Sequence, residues 1–485
     1  MHRHVSRTST IIRFAACIPF AAAAFVHAAG AQRPTLSAAV RQYVTLDTDV
    51  VALTHVRVID GTGALPKADQ TILIRDGRIA AVGNFAATPV PANALVMDLT
   101  GKSVIPGLVM VHEHLTYPTS PGVSGNLIES FSRLYLAGGV TSIRTAGNAN
   151  GLREIQHKKA IDAGASVGPW MDATAPFIEG APGMGLDQFY VLKDAAEARS
   201  HIAYWTGIGA TSLKAYMHLT RDELRATLEE GHKRGLKVTG HLCSITYREA
   251  ADLGIDNLEH GFFAATDFVA NKQPDVCPEQ SAVLQSLVAI DSTGDAMRSL
   301  MRHLIEKKVA LTSTLTVLES FTPGRPISPG LDVLVPSLRD QFIQTKAQID
   351  RSTTSIFAQL FPKLAKWDVD FFRAGGTLLV GTDPTGIGGV VAGYSNQRAL
   401  ELLVEAGLTP IEAIRVGTLN GATFLGRAAL VGSIATGKQA DLVVIDGDPS
   451  ARIADVRNVT LVFKQGIAYD PAKLIASVKG RVGLF

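Results

Sequence analysis

The chain has 485 residues, 46% apolar and 19% charged, with 46 Lys and Arg against 44 Asp and Glu. A formal charge of +2 leaves no electrostatic footprint for nucleic acid, and so large an apolar share excludes a disordered chain. Three cysteines exclude a disulfide-framework miniprotein and a four-cysteine zinc site.

The first segment differs from the rest. Arg3, Arg7 and Arg13 stand without an acidic residue, an apolar run extends from Phe14 to Val26, and Ala29-Gly30-Ala31 fits a signal-peptidase site. This pattern predicts a Sec-type signal peptide over 1–31 and a periplasmic or secreted mature protein. The competing readings are a membrane anchor, against which stand the short run and Pro19, and a lipoprotein through Cys17, whose preceding Phe14-Ala15-Ala16 lacks an aliphatic residue. Cleavage removes three arginines and leaves 43 basic against 44 acidic residues, so the slight basicity belongs to targeting. No later apolar stretch is long enough to insert stably in a bilayer.

Residues 32–104 read as strands and turns. Val51–Ile59 and Thr71–Ile74 alternate, and Asp76-Gly77 before Arg78–Val82 is a hairpin signal. Residues 105–427 alternate short apolar strands with amphipathic helices, which predicts parallel βα units. Thr220 with Glu223 is a capping box for a helix that Gly235 stops; the strand Leu236–Gly240 follows and ends at His241. A helix Tyr247–Leu253 and a strand Ile255–Leu258 come next, and Thr409-Pro410 with Glu412 opens a late helix. About eight such units fit a decorated (β/α)8 barrel, with 265–293 and 320–355 as insertions. Residues 428–485 return to strands, notably Ala440–Ile445 and Val459–Phe463, which predicts one small β-sandwich domain built from both chain ends.

Chemistry in a (β/α)8 barrel sits where strands end. The strand Ser103–Val111 runs into His112-Glu113-His114, where alternation turns both imidazoles to one side and Glu113 to the other. Lys214, His241, His260 and Asp383 each follow a β-like run and precede a loop or helix. Converging imidazoles and a carboxylate suit zinc or a similar divalent ion, and without one they are buried polar groups lacking compensation.

Pro106–His114, the ordered Lys214, His241, His260 and Asp383, and the closing Ala413–Gly426 helix with Asn420-Gly421-Ala422-Thr423 resemble the metal-dependent amidohydrolase superfamily. The resemblance is to its secreted prolidase-like and imidazolonepropionase-related branch and covers nearly the whole mature chain. Met110 stands where many members carry Asp. The resemblance implies a distorted (β/α)8 barrel beside a β-sandwich. It also implies two divalent metal ions, most simply zinc: His112, His114 and Asp383 on one, His241 and His260 on the other, with Lys214 bridging as a carbon dioxide-derived carbamate. The competing roles for Lys214 are an unmodified lysine beside a single metal or a partner of Glu259.

Such a site predicts amide hydrolysis, with Asp383 as the proton-handling catalytic residue and a dipeptide, N-acyl amino acid or cyclic amide as small-molecule substrate. Tyr216 and Tyr117 are candidate substrate contacts, each weighed against core packing; His218 reads as a solvated loop residue. The Gly386-Ile387-Gly388-Gly389 run reads as an active-site loop. Cys243 and Cys277 are candidates for a disulfide over the mouth. The alternatives are a lactonase or phosphotriesterase with the same site, and a secreted binding protein with structural metal. No nucleic-acid partner is expected, and homo-oligomerisation is left open.

Overall fold

The computed structural model describes residues 1–2, 33–120, 123–184, 189–291 and 293–484. The expected signal segment, including Cys17 and Ala29-Gly30-Ala31, lies outside the described residues apart from its first two positions. All described helices and strands belong to the unit beginning at Pro34.

Eight parallel strands carry the central architecture: β1 Leu108–Glu113, β2 Val140–Thr145, β3 Trp170–Asp172, β4 Leu213–Ala215, β5 Val238–Gly240, β6 Asn257–Glu259, β7 Ala310–Ser313 and β8 Leu378–Val380. They form a three-stranded run β1-β2-β3 and a five-stranded run β4 to β8. A parallel bridge between Thr174 and Ser212 joins the runs on one side. On the other, the Thr382 N–H donates to the His112 carbonyl at 3.1 Å. The barrel is therefore distorted, with two sheets meeting at isolated bonds, and apart from the half-buried Trp170 of β3 the strands are buried on both faces as parallel strands require.

Local sequence explains the flanking helices. Thr220 and Glu223 close a reciprocal capping box on the helix Arg221–Lys233, which buries Leu224 and Leu228. Thr246 with Glu249 does the same for Tyr247–Leu253, and Thr409 with Glu412 for Pro410–Arg415. The last of these does not run on as one α-helix. A π-turn at Val416–Asn420 precedes a short α segment Gly421–Phe424. The wider turn lets Asn420 Nδ2 donate to the Leu378 carbonyl of β8 at 2.9 Å. Of the two expected insertions, one contains the helix Gln280–Ala289 and the other Pro336–Asp350.

A nine-stranded sheet draws on both chain ends. Its order is Val44–Leu46, Ile467–Tyr469, Val459–Lys464, Leu442–Asp446, Lys102–Pro106, Val50–Val58, Lys67–Arg75 and Arg78–Asn84, with Leu95–Asp98 added against Val50–Val58. It is one sheet that curls over its own apolar face: Val51, Ile72, Val104, Leu442 and Phe463 share a buried cluster, and the Ala440 N–H donates to the Gly77 carbonyl at 2.9 Å.

The expected single strand Ser103–Val111 divides at Gly107. Lys102–Pro106 pairs in the curled sheet, whereas β1 pairs in the barrel. Gly107 donates to Asp441 O at 2.8 Å, and a Cβ there would strike the Thr141 side chain, so the chain passes between sheets at a residue without one.

Candidate active site

The ends of five barrel strands converge on a cavity of about 740 Å³ lined by His112, His114, Lys214, His241, His260 and Asp383. His112 lies within β1 and His114 just beyond it; Lys214 sits in the middle of β4; His241 and His260 immediately follow β5 and β6; Asp383 follows β8. The imidazoles form a chain, with ring centroids 5.4 Å apart for His112 and His114, 4.6 Å for His112 and His260, and 4.5 Å for His260 and His241. Asp383 Oδ1 lies 3.3 Å from His114 Nε2 and 3.6 Å from His112 Nε2, and its Oδ2 lies 3.5 Å from His260 Nδ1. His260 and Asp383 hold left-handed backbone conformations, φ 64° and 54°, uncommon without glycine and characteristic of constrained sites.

The hydrogen bonds orient the rings. His112 Nδ1 donates to Glu259 Oε2, His114 Nδ1 donates to the Gly147 carbonyl at 2.9 Å, and His260 Nδ1 meets Thr314 Oγ1 at 2.9 Å. Each bond on Nδ1 leaves Nε2 facing the cavity. His112 Nε2 and His260 Nε2 are buried without a hydrogen-bond partner among the described residues. His112, His114 and Asp383 place one ligand atom each within 4.8 Å of one another. Two orphaned imidazole nitrogens and a buried carboxylate are the donor set a divalent cation satisfies, so these residues fit a metal.

Electrostatics agree. Burial, with Lys214 adding to it, pushes His241 down to about 3; burial likewise depresses His114 and His260, leaving the neutral imidazoles that bind metals. His112 departs from this: burial pulls it down, but the Glu259 carboxylate overcomes that and raises it. Despite burial, the surrounding imidazoles hold Asp383 well below the usual carboxylate range.

Lys214 is 2% exposed, and burial lowers its ammonium against the pull of Glu259 and Asp383. Its Nζ makes no hydrogen bond or ion pair among the described residues and lies 5.8 and 5.9 Å from the Phe177 and Tyr216 ring centroids. The alternative pairing with Glu259 is not made; Glu259 instead bridges His112 and Arg144, whose Nη1 lies 3.2 Å from Glu259 Oε1. Arg144 is fully buried and also donates to Ser212 Oγ, Leu213 O and Thr239 Oγ1. Glu113 turns from the cavity, as alternation requires. It accepts from Thr382 and from Asn396 Nδ2 at 2.9 Å, and burial pushes it up to about 7.

Tyr216 is half-buried and lines the cavity in a wall with Phe177 and Phe189, ring centroids 4.5 to 5.8 Å apart. Tyr117 does not meet the expectation of a substrate contact. It is 1% exposed, packs against Phe131, and its hydroxyl accepts the Gly389 N–H at 2.7 Å, so it tethers the glycine-rich loop. His218 is not a solvated loop residue either. It is half-buried, its N–H donates to Glu179 Oε1 at 2.7 Å and its Nδ1 lies 3.3 Å from Glu179 Oε2. Cys243 and Cys277 are joined as a disulfide with Cα atoms 4.8 Å apart, lining a second cavity of about 580 Å³ that also reaches His241. Arg144, Asn148 and Glu154 carried no sequence signal of a role. They lie at or just after β2 and in the helix beyond it, and only folding brings them to the site.

Comparison with known proteins shows what the chain resembles. Residues 372–468 match the model described as "Amidohydrolase family". The imidazolonepropionase of Geobacillus kaustophilus is 26% identical over 85% of this chain and 92% of its own. The solved structure of a provisionally named prolidase from Bifidobacterium longum is 25% identical with a TM-score of 0.63, covering 89% of this chain and 99% of that one. The chain carries an amidohydrolase family segment and is similar over most of its length to metal-dependent amidohydrolases. Amidohydrolase structures of this kind share its α/β barrel fold. Adenine deaminase 1 of Jannaschia is 24% identical over 77% of this chain, which spans only 51% of that protein.

Proposed function

We propose that the protein is a metal-dependent hydrolase of carbon–nitrogen bonds in small amides, working outside the cytoplasm after removal of residues 1–31. The observation that carries this is the buried ring of imidazoles around Asp383, with two Nε2 atoms left unpartnered. His112, His114 and Asp383 would hold one divalent ion and His241 and His260 a second, zinc suiting the nitrogen-rich set. Such ions, when bound, polarise a carbonyl and lower the pKa of water so that a nucleophile is available at neutral pH.

The chain's own residues do the rest. Lys214, buried and without a polar partner, is held toward its neutral amine. The Nζ lone pair adds to the carbon of carbon dioxide as one C–O π pair moves onto oxygen, a C–N bond forms and an N–H bond breaks with its proton passing to solvent, giving an anionic carbamate that would help hold the ions. Asp383, kept ionised, accepts the proton of the attacking water on its carboxylate and passes it to the departing nitrogen. The Phe177, Phe189 and Tyr216 wall excludes water from one side of the substrate.

The test is metal analysis with a panel of amides, dipeptides and lactones. Two divalent ions per chain, amide turnover and its loss by at least about a hundredfold in Asp383→Asn are expected, the span of general acid–base catalysis. Lactone turnover without amide turnover would assign the site to ester bonds, and no turnover of any class would leave a binding protein.

A further inference from the structure

The cavity is unusual in its charge. Among the described residues lining it, Lys214 is the single lysine or arginine, and apart from Asp383 the one acidic side chain is Glu154. Glu154 stands in the first turn of the helix Leu152–Asp162, 1% exposed, with Oε2 unpartnered among the described residues. Asn148 beside it is 7% exposed, and its side chain, with Thr145, acts on the Glu154 carboxyl against the effect of burial. A buried carboxylate oxygen without a partner costs free energy that a ligand group of complementary polarity recovers. The Asn148 carbonyl accepts the Phe177 N–H at 3.0 Å, so this polar corner adjoins the aromatic wall. A carboxylate beside aromatic faces is the arrangement that recognises an organic cation.

We propose that Glu154 and Asn148 form a subsite for the protonated amino group of the substrate, so that the preferred substrates are amides bearing a free amine rather than a free carboxylate. This rests on the hydrolase reading, with Lys214 converted to a carbamate that adds no positive charge to the cavity. Burial pushes Glu154 up to about 7 against hydrogen bonds from Thr145 and Asn148, a remaining penalty that a bound ammonium would relieve. An anionic substrate group finds no guanidinium among the described lining residues and meets Glu154 instead.

The experiment measures binding to the metal-loaded full protein, independently of turnover, with 2-phenylethylamine, 2-phenylethanol and 3-phenylpropionate as probes. The amine is expected to bind about ten- to a hundredfold more tightly than the alcohol, the span of a hydrogen bond to a charged group. Glu154→Gln should abolish that preference while leaving affinity for the alcohol and the melting temperature unchanged. If that variant does not fold, Asn148→Ala carries the same comparison, with a smaller loss confined to the amine. Equal affinities, tighter binding of the carboxylate, no binding of the amine at millimolar concentration, or an undiminished preference in the variants each overturn the subsite. None of these results bears on amide turnover by the panel, which judges the hydrolase reading separately.

Discussion

At the residue scale, Glu259 joins an imidazole facing the cavity to a fully buried guanidinium. Glu259→Gln keeps the shape but removes the charge, leaving Arg144 with only the longer contact to Asp172 at 4.0 Å. A loss of about 3–5 kcal/mol in unfolding free energy is expected for a broken buried ion pair, together with a roughly 10–100-fold weaker metal affinity. Denaturant titration and metal competition check the two effects. Asp368 sets a pH dependence. Burial, relieved in part by Ser313, pushes its carboxyl from 3.8 up to about 7. The folded state therefore binds this proton more tightly than the unfolded chain. Its contribution to stability is full below pH 3.8, declines as pH rises and is lost once pH passes about 7. Asp368→Asn should flatten that part of the profile by a few kcal/mol at most, read from melts between pH 4 and 8.

At the scale of elements, the junction of β8 with β1 decides whether the candidate metal ligands meet. Gly381 follows β8 and lies against His112: an added Cβ would lie 2.5 Å from His112 Cβ and 2.6 Å from its backbone N and O. Gly381→Ala must push the two strand ends apart and so separate His112 from Asp383, which is two residues further on. Loss of metal at the His112, His114 and Asp383 cluster is expected, with a destabilisation of about 1–3 kcal/mol for overpacking. Metal stoichiometry with a thermal melt tests it; full metal content in the variant would contradict this account. Much of the element layer was legible beforehand, since the capping boxes at Thr220 and Thr409 are local patterns whose hydrogen bonds are made within three residues. The break at Gly107 and the π-turn at Val416–Asn420 were not legible, because each answers to a distant partner: Asp441 and Thr141 in one case, the Leu378 carbonyl in the other.

At the scale of the whole molecule, the disulfide from Cys243 to Cys277 closes a loop of 34 residues between the β5 end and the segment after β6. Removing it frees that loop in the unfolded chain, and Cys243→Ser with Cys277→Ser should lower stability by roughly 3–4 kcal/mol on the chain-entropy account. The absence of free thiols at these two positions in the denatured, unreduced protein, and a lower melting temperature in the double variant, are the expected readouts. The order of His112, His114, Lys214, His241, His260 and Asp383 along the chain, each at or near a strand end, was enough to identify the ligand candidates. Alternation and capping are short-range, and strands of a barrel end at one face whatever their loops do. Sequence also supplied the Cys243–Cys277 pairing as a candidate. The tertiary structure alone decided that Tyr117 holds a loop instead of facing substrate, that Glu259 pairs with Arg144 instead of Lys214, and that Glu154 and Asn148 face the cavity. Those outcomes depend on which side chains meet across 100 residues or more, or on how packing leaves a polar atom without a partner, and neither is encoded in any local pattern.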